Sequence, residues 1–180
     1  IKVGKNLKKF KGGDKVFVHH HVSCYSCRYC LQGNYTMCNN YQTSNIEPCG
    51  LSEQFIVPKW NIEHGGVLKL PESVSYDEAA LIEPLACCIR GLNKISIKHG
   101  DNIAILGAGP TGVMHTLLSK LWGANNIVVS DVNDFRLKFV EKYGVTTVNL
   151  NTQNLEELVN NHTEALGVDV TILATGSMSA

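Results

Sequence analysis

Apolar positions change their rhythm partway along the chain. Val16, Phe17 and Val18 follow a turn built from Lys11, Gly12, Gly13 and Asp14, and they predict a short strand. Leu51, Phe55 and Val57 alternate around Glu53 and Gln54, which predicts a second strand closed by Pro58. Ser75 and Glu78 then form the signature of a capping box, opening a helix over Ala79, Ala80 and Leu81. Pro84 is expected to break or kink that helix, and a second apolar run continues over residues 85–92.

From Asn102 strands and helices alternate. Residues 103–106 form a short apolar run, followed by a glycine-rich turn. Val113, Met114, Leu117, Leu118 and Leu121 then recur at helical spacing, with Gly123 as terminator. A strand over 127–130 leads to Asp131, and a helix carrying Phe135, Phe139 and Val140 stops near Gly144. A weaker strand around Val148, a helix with Leu155, Leu158 and Val159, and a strand over 168–174 complete the series. Such alternation predicts an α/β fold with a parallel sheet covered on both faces. The expected organisation is a strand-rich domain over 1–98 and a second domain over 99–180.

Composition narrows the classes. A chain of 180 residues can hold one large domain or pieces of two, and 44% hydrophobic with 18% charged residues suffices for a buried core. Sixteen basic and sixteen acidic side chains cancel, so nothing favours nucleic acid or an anionic membrane as partner. Lys5, Lys8, Lys9 and Lys11 read as a solvated turn. No apolar stretch approaches membrane-spanning length, and the first residues lack the apolar core of a signal peptide. Seven cysteines without such a signal suggest a reducing, cytoplasmic setting in which thiols bind metal.

Four of those cysteines, Cys24, Cys27, Cys30 and Cys38, follow the spacing C-x2-C-x2-C-x7-C. Thiolates so close in a polar loop can converge on one tetrahedral ion, and a closed four-cysteine shell reads as a structural zinc site. Gly33 and Asn34 permit the sharp turn, and Arg28 offsets part of the negative charge. An iron–sulfur cluster is a rival, although its usual fourth cysteine comes three residues later and precedes proline. Ordinary or disulfide-bonded cysteines are the other alternative.

The second constellation is Gly107-Ala108-Gly109-Pro110-Thr111-Gly112, between a predicted strand and helix, with Asp131 nineteen positions after Gly112. Gly107 would form the tight turn, Gly109 would let the backbone approach a pyrophosphate, and Gly112 would allow close packing. Pro110 and Thr111 stand at the helix amino end, whose free N–H groups suit phosphates. Asp131 is placed to accept from adenosine ribose hydroxyls, which favours NAD over NADP, and Arg136 nearby can soften that choice. A tight turn without ligand is the bland alternative.

In order along the chain, these features resemble the zinc-dependent medium-chain dehydrogenases, nearest the sorbitol (L-iditol)/threonine dehydrogenase branch. The resemblance rests on Gly13-Asp14-Lys15-Val16, the four cysteines, residues 50–58 (GLSEQFIVP), Glu83-Pro84-Leu85, the glycine loop and Asp131. It implies part of a GroES-like catalytic domain with a structural-zinc lobe at 23–40, followed by the first half of a Rossmann doubly wound sheet. It also implies a second, catalytic zinc that prepares an alcohol for hydride transfer to NAD. Of that zinc's family ligands only a glutamate has a counterpart, Glu83, as ligand or close neighbour; the alternative is a helix-surface carboxylate. The other ligands would lie upstream of Ile1, and more strands would follow Ala180, so the chain reads as a central fragment. The implied substrate is a polyol or related secondary alcohol, with L-threonine or simple alcohols as runners-up. The implied assembly is a homodimer or homotetramer. A non-catalytic, zinc-stapled dinucleotide-binding protein is the reading from another class, and an electron carrier with a cluster at the cysteines is a third.

Other polar residues carry less. His19, His20 and His21 are expected to continue the strand into the cysteine loop rather than bind metal, since strand neighbours face opposite ways. His115 is expected to be packed, His64 and His99 to lie in loops, and Cys87 and Cys88 to be small core residues. Cys49 is not required by the zinc lobe.

Overall fold

The computed structural model describes residues 2–5, 7–48 and 50–177. The reading of Cys49 and the expectations about both chain ends therefore lie outside the described residues. Packing divides the chain into two compact units, 1–80 and 81–180.

In the first unit, β1 (Val16–Val18) pairs antiparallel with β2 (Val67–Lys69), Val16 lying opposite Lys69. Lys69 Nζ reaches Asp14 Oδ2 at 2.8 Å, tying the turn before β1 to the end of β2. That lysine, with the Lys11 N–H, holds the Asp14 carboxyl below its ordinary range. The strand expected over residues 51–57 does not form; a single bridge joins Glu47 to Ile56. Alternation makes a strand only where a ladder and a core face await it. Leu51 finds neither and stands in solvent, and Ile56, although bridged, has no core face to cover it.

The chain between β1 and β2 is short helical turns: α1 (Arg28–Leu31), a 3-10 turn (Tyr35–Met37), α2 (Asn39–Thr43) and α3 (Lys59–Glu63). β1 ends at Val18, so the three histidines do not continue it as expected. Fully buried Asn61 of α3 instead holds them, its Nδ2 donating to the carbonyls of His19 and His20 at 3.0 and 2.9 Å. His21 Nδ1 meets the Ser44 carbonyl at 2.6 Å. α4 (Tyr76–Ala79) opens on the expected capping box, with Ser75 and Glu78 each bonding the other's backbone N–H.

The second unit begins with α5 (Ile82–Ile95), which packs on α6 (Pro110–Leu121). The break between α4 and α5 falls at Ala80 and Leu81, before Pro84. Pro84 is the third residue of α5, where a backbone N–H has no helical partner to lose, so it does not kink the helix. Then follow β3 (Ile103–Leu106), β4 (Ile127–Asp131), α7 (Asp134–Glu141), β5 (Thr146–Asn149), α8 (Leu155–His162) and β6 (Val170–Leu173). The strands lie in the order β5-β4-β3-β6, every neighbouring pair parallel.

Both faces are covered. Ile103, Ile105, Ile127 and Val129 pack with Cys88, Leu92, Leu118, Leu137 and Val140 from α5, α6 and α7. Val128 and Val148 meet Val159 of α8 on the other side. In α7 the inward positions are Leu137 and Val140, whereas Phe135 and Phe139 are exposed. Cys88 is core as expected, but Cys87 faces out, one helical step of about 100° away. His115 is buried, and that burial lowers its pKa. Among the described residues no helix is long and apolar enough to cross a membrane.

Candidate metal and dinucleotide sites

The cysteine loop folds back on itself in two steps. Tyr25 adopts a left-handed conformation at φ 57°, Gly33 does so at 74°, and each reverses the chain after a cysteine-bearing segment. Cys27 precedes α1, Cys30 lies within it, and Cys38 precedes α2. The four sulfurs gather with every pair within 4.8 Å: Cys27–Cys30 at 3.5 Å, Cys24–Cys38 at 3.7 Å and Cys24–Cys30 at 3.9 Å. A tetrahedral ion bound to sulfur at about 2.3 Å requires sulfur–sulfur edges of about 3.8 Å. The donor set therefore fits zinc.

Backbone donors prepare the sulfurs for negative charge. The Cys27 N–H donates to Cys24 Sγ at 3.3 Å, and the Cys24 N–H points at Cys38 Sγ at 3.5 Å. Bonds from Ser26 bring the Cys24 thiol down to about 6, and the Cys24 N–H lowers Cys38. Burial instead pushes Cys30 up to about 11. A metal cation supplies the charge that lets such a buried thiol ionise.

At the carboxyl end of β3 the chain turns sharply into α6. Gly107 has φ 110°, and a Cβ there would meet the Ala174 carbonyl at 2.7 Å. A Cβ at Gly112 would meet the Gly107 carbonyl at 1.9 Å, so the first turn of α6 lies directly on the loop. Gly109 differs: a Cβ there meets nothing within 4 Å, so the protein leaves space above it. Pro110 occupies the first helical position, with Thr111 next, and no side chain caps this helix start.

Asp131 ends β4 with 8% of its surface exposed. Its Oδ2 accepts from the Ala108 N–H of the glycine loop at 2.8 Å, and its Oδ1 accepts from the Asn133 N–H at 2.9 Å. Arg136 Nη1 lies 3.7 Å from Oδ2. A carboxylate offers about four acceptor positions, so the two backbone bonds fix Asp131 and still leave capacity for hydroxyl donors. Asn133, which sequence reasoning did not single out, caps α7 by accepting from the N–H groups of Phe135 and Arg136. An asparagine just ahead of a helical run was the available signal.

Glu83 stands apart from both clusters in the chemistry of its contacts. It lies in the first turn of α5, half-buried, and Cys87 Sγ donates to its Oε1 at 3.2 Å. Its second oxygen is free of hydrogen bonds and ion pairs among the described residues, which suits one donor of a metal site. It does not make a whole one. Among the described residues the four thiols are the only group of three or more donors that converge, and the three histidines join none.

The structure thus brings the cysteines together, and joins the glycine loop to Asp131 and Arg136. Residues 1–72 match the family described as Alcohol dehydrogenase GroES-like domain, and residues 110–180 match Zinc-binding dehydrogenase. The chain belongs to the zinc-binding dehydrogenases of the alcohol dehydrogenase type. Within that family, sorbitol dehydrogenase of Bacillus subtilis (strain 168) is 35% identical over 180 residues, 99% of this chain and 50% of that protein. L-threonine 3-dehydrogenase of Escherichia fergusonii is 30% identical over 182 residues, with 100% and 52% covered. A zinc-binding dehydrogenase from Sinorhizobium meliloti 1021, solved bound to NADP, superposes with a TM-score of 0.79 at 25% identity, covering 99% of this chain and 52% of that one. The chain spans about half the length of the curated relatives it matches. Zinc is the metal of this dehydrogenase family, and a nicotinamide dinucleotide is the cofactor of that neighbour.

Proposed function

We propose that the protein is a zinc-dependent oxidoreductase that transfers a hydride from a secondary alcohol, a polyol or related small hydroxylated metabolite, to NAD. The observation that carries the reading is the bond between the Ala108 N–H and Asp131, which puts a fixed carboxylate beside an uncapped helix start. Gly109 leaves room for a pyrophosphate, and Pro110, Thr111 and Gly112 begin the helix whose N–H groups and dipole receive it. Asp131 accepts from the adenosine ribose hydroxyls and repels a 2′-phosphate. Arg136 lies on the same carboxylate and limits that repulsion, so the preference for NAD is moderate rather than strict.

Cys24, Cys27, Cys30 and Cys38 hold a structural zinc that organises residues 23–40. Glu83 serves a second, catalytic zinc as ligand or close neighbour. When bound, that zinc polarises the substrate oxygen and lowers its pKa. Greater similarity to the sorbitol enzyme supports a polyol as substrate, and the threonine enzyme at 30% identity supports L-threonine as the alternative. The division into a GroES-like domain over 1–98 and a Rossmann domain over 99–180, cytoplasmic location and a homodimer or homotetramer complete the proposal.

Metal analysis of the full gene product, with turnover of sorbitol and L-threonine under NAD and NADP, tests it. The expected result is two zincs per chain and faster polyol oxidation with NAD. One zinc and no turnover would sink the enzyme reading and leave a dinucleotide-binding protein.

A further inference from the structure

The four sulfurs of the cysteine lobe are unequal in two respects that a tetrahedral shell does not require. Cys24 and Cys27 are partly open to solvent, whereas Cys30 and Cys38 are buried at 4% and 1% exposure. Their contacts also differ in length. Cys27 Sγ lies 3.5 Å from Cys30 Sγ, and Cys24 Sγ lies 3.7 Å from Cys38 Sγ. Each of these close pairs joins one open sulfur to one buried sulfur.

We infer that the quartet is a redox switch, which hydrogen peroxide converts to the disulfides Cys27–Cys30 and Cys24–Cys38 with release of the zinc. This rests on the reading of the quartet as a zinc site. Four cysteines allow three pairings. Joining Cys24 to Cys27 would leave Cys30 and Cys38 as a pair that the oxidant does not reach. Joining Cys24 to Cys30, at 3.9 Å, would break both shorter contacts. The third pairing uses both of them.

The chemistry balances within each pair. The open thiolate attacks a peroxide oxygen, the O–O bond breaks, hydroxide leaves and the sulfur becomes a sulfenic acid. The buried thiolate then attacks that sulfur, the S–S bond forms and a second hydroxide leaves. The pair loses two electrons, and the peroxide gains them. Thiolates, not disulfide sulfurs, are the metal ligands, so oxidation of both pairs leaves the cation unheld. Reaching a bond of about 2.05 Å asks each pair to close by roughly 1.5 Å. Cys24, Cys27 and Cys38 lie outside the helices, where such a shift disturbs little. The Cys24–Cys38 bond keeps the loop closed, so reduction returns the four thiols to one another.

The test treats the full-length, zinc-loaded protein with hydrogen peroxide, follows zinc release with a metal-binding dye and maps disulfides by mass spectrometry. Cleavage after Tyr25, Arg28 and Tyr35 puts each of the four cysteines on its own peptide. The expected result is loss of one zinc per chain for two peroxides consumed, with peptides linked Cys27 to Cys30 and Cys24 to Cys38. A dithiol reductant with added zinc should reverse both changes. Linkage of Cys24 to Cys30, sulfinic acids in place of disulfides, or zinc retained in excess peroxide would overturn the inference. Alkylation of untreated protein separates this failure from that of the zinc reading, because bound zinc shields the four thiols and a chelator uncovers them. Thiols that alkylate equally fast with and without chelator would sink the zinc site, and the switch with it.

Discussion

Single atoms decide what the glycine loop tolerates. Gly112 and Gly109 belong to one motif, yet an added methyl meets opposite surroundings. At Gly112 it would lie 1.9 Å from the Gly107 carbonyl, so Gly112→Ala must push the loop off the helix. Overpacking of that severity destabilises by on the order of 3 kcal/mol, and dinucleotide binding should be lost with it. At Gly109 the methyl enters open space, and φ −71° suits any residue. Gly109→Ala should therefore fold with nearly unchanged thermal stability while weakening NAD at least about tenfold, because the methyl occupies the space left for phosphate. Thermal unfolding and NAD titration of the two variants separate the effects. Equal affinity for Gly109→Ala and the parent would place the pyrophosphate elsewhere. Asp131 shows the same economy of atoms, since one carboxylate anchors Ala108 and, under the proposed function, would also bear the charge that selects the ribose.

At the level of elements, local chemistry predicts starts well and faces poorly. The Ser75–Glu78 pair forms as its spacing requires, and its hydrogen bonds lower the Glu78 carboxyl from its ordinary 4.5. The folded carboxyl titrates below the unfolded one, so its stabilising contribution is complete above about pH 4.5 and disappears as pH falls through the lower, folded value. Ser75→Ala should cost about 1 kcal/mol at neutral pH and, by removing the hydroxyl bond while the Ser75 N–H still donates, should partly flatten the acid dependence of stability below pH 4.5. Denaturant unfolding at several pH values reads this directly, and an unchanged acid slope would rule out the box as its source. Of the four strands of the parallel sheet, β3, β4 and β6 were legible as largely apolar runs between helical spacings, whereas β5 offered only Val148 and was the weaker signal. The fate of the supposed strand over 51–57 was not legible, because alternation says nothing about the missing partner that leaves Leu51 in solvent. Phe135 and Phe139 marked the helix but not its inward face: hydrophobicity marks what can be buried, while Leu137 and Val140 are what the sheet reaches. Of the candidate site, the cysteine spacing and glycine loop could be read directly. The bond from Ala108 to Asp131 and the contact of Cys87 with Glu83 depend on distances that spacing does not encode.

The two compact units are stabilised by different physics, and this difference has an experimental consequence. Residues 81–180 bury Leu92, Ile103, Ile105, Val128, Val129, Val140 and Val148 almost completely around a continuous parallel sheet. The cysteine lobe has only helical turns of three to five residues, and Tyr25, Tyr29, Leu31 and Met37 are exposed on it. Helices that short do not persist in water without tertiary support. Its buried centre is the sulfur group itself, with Cys30 and Cys38 at 4% and 1% exposure. For such a lobe metal binding and folding are one equilibrium. Removing zinc with a chelator should therefore raise amide exchange about 100-fold or more across residues 24–43, while β3, β4 and their neighbours in the sheet keep their protection. Re-addition of zinc should restore the lobe, and a Cys38→Ser variant should behave like the chelated protein at any zinc concentration that saturates the parent. Protection lost throughout the chain would make the metal a staple of the whole molecule. Protection unchanged in the lobe would mean that its hydrogen bonds, rather than four thiolates on one ion, hold it closed.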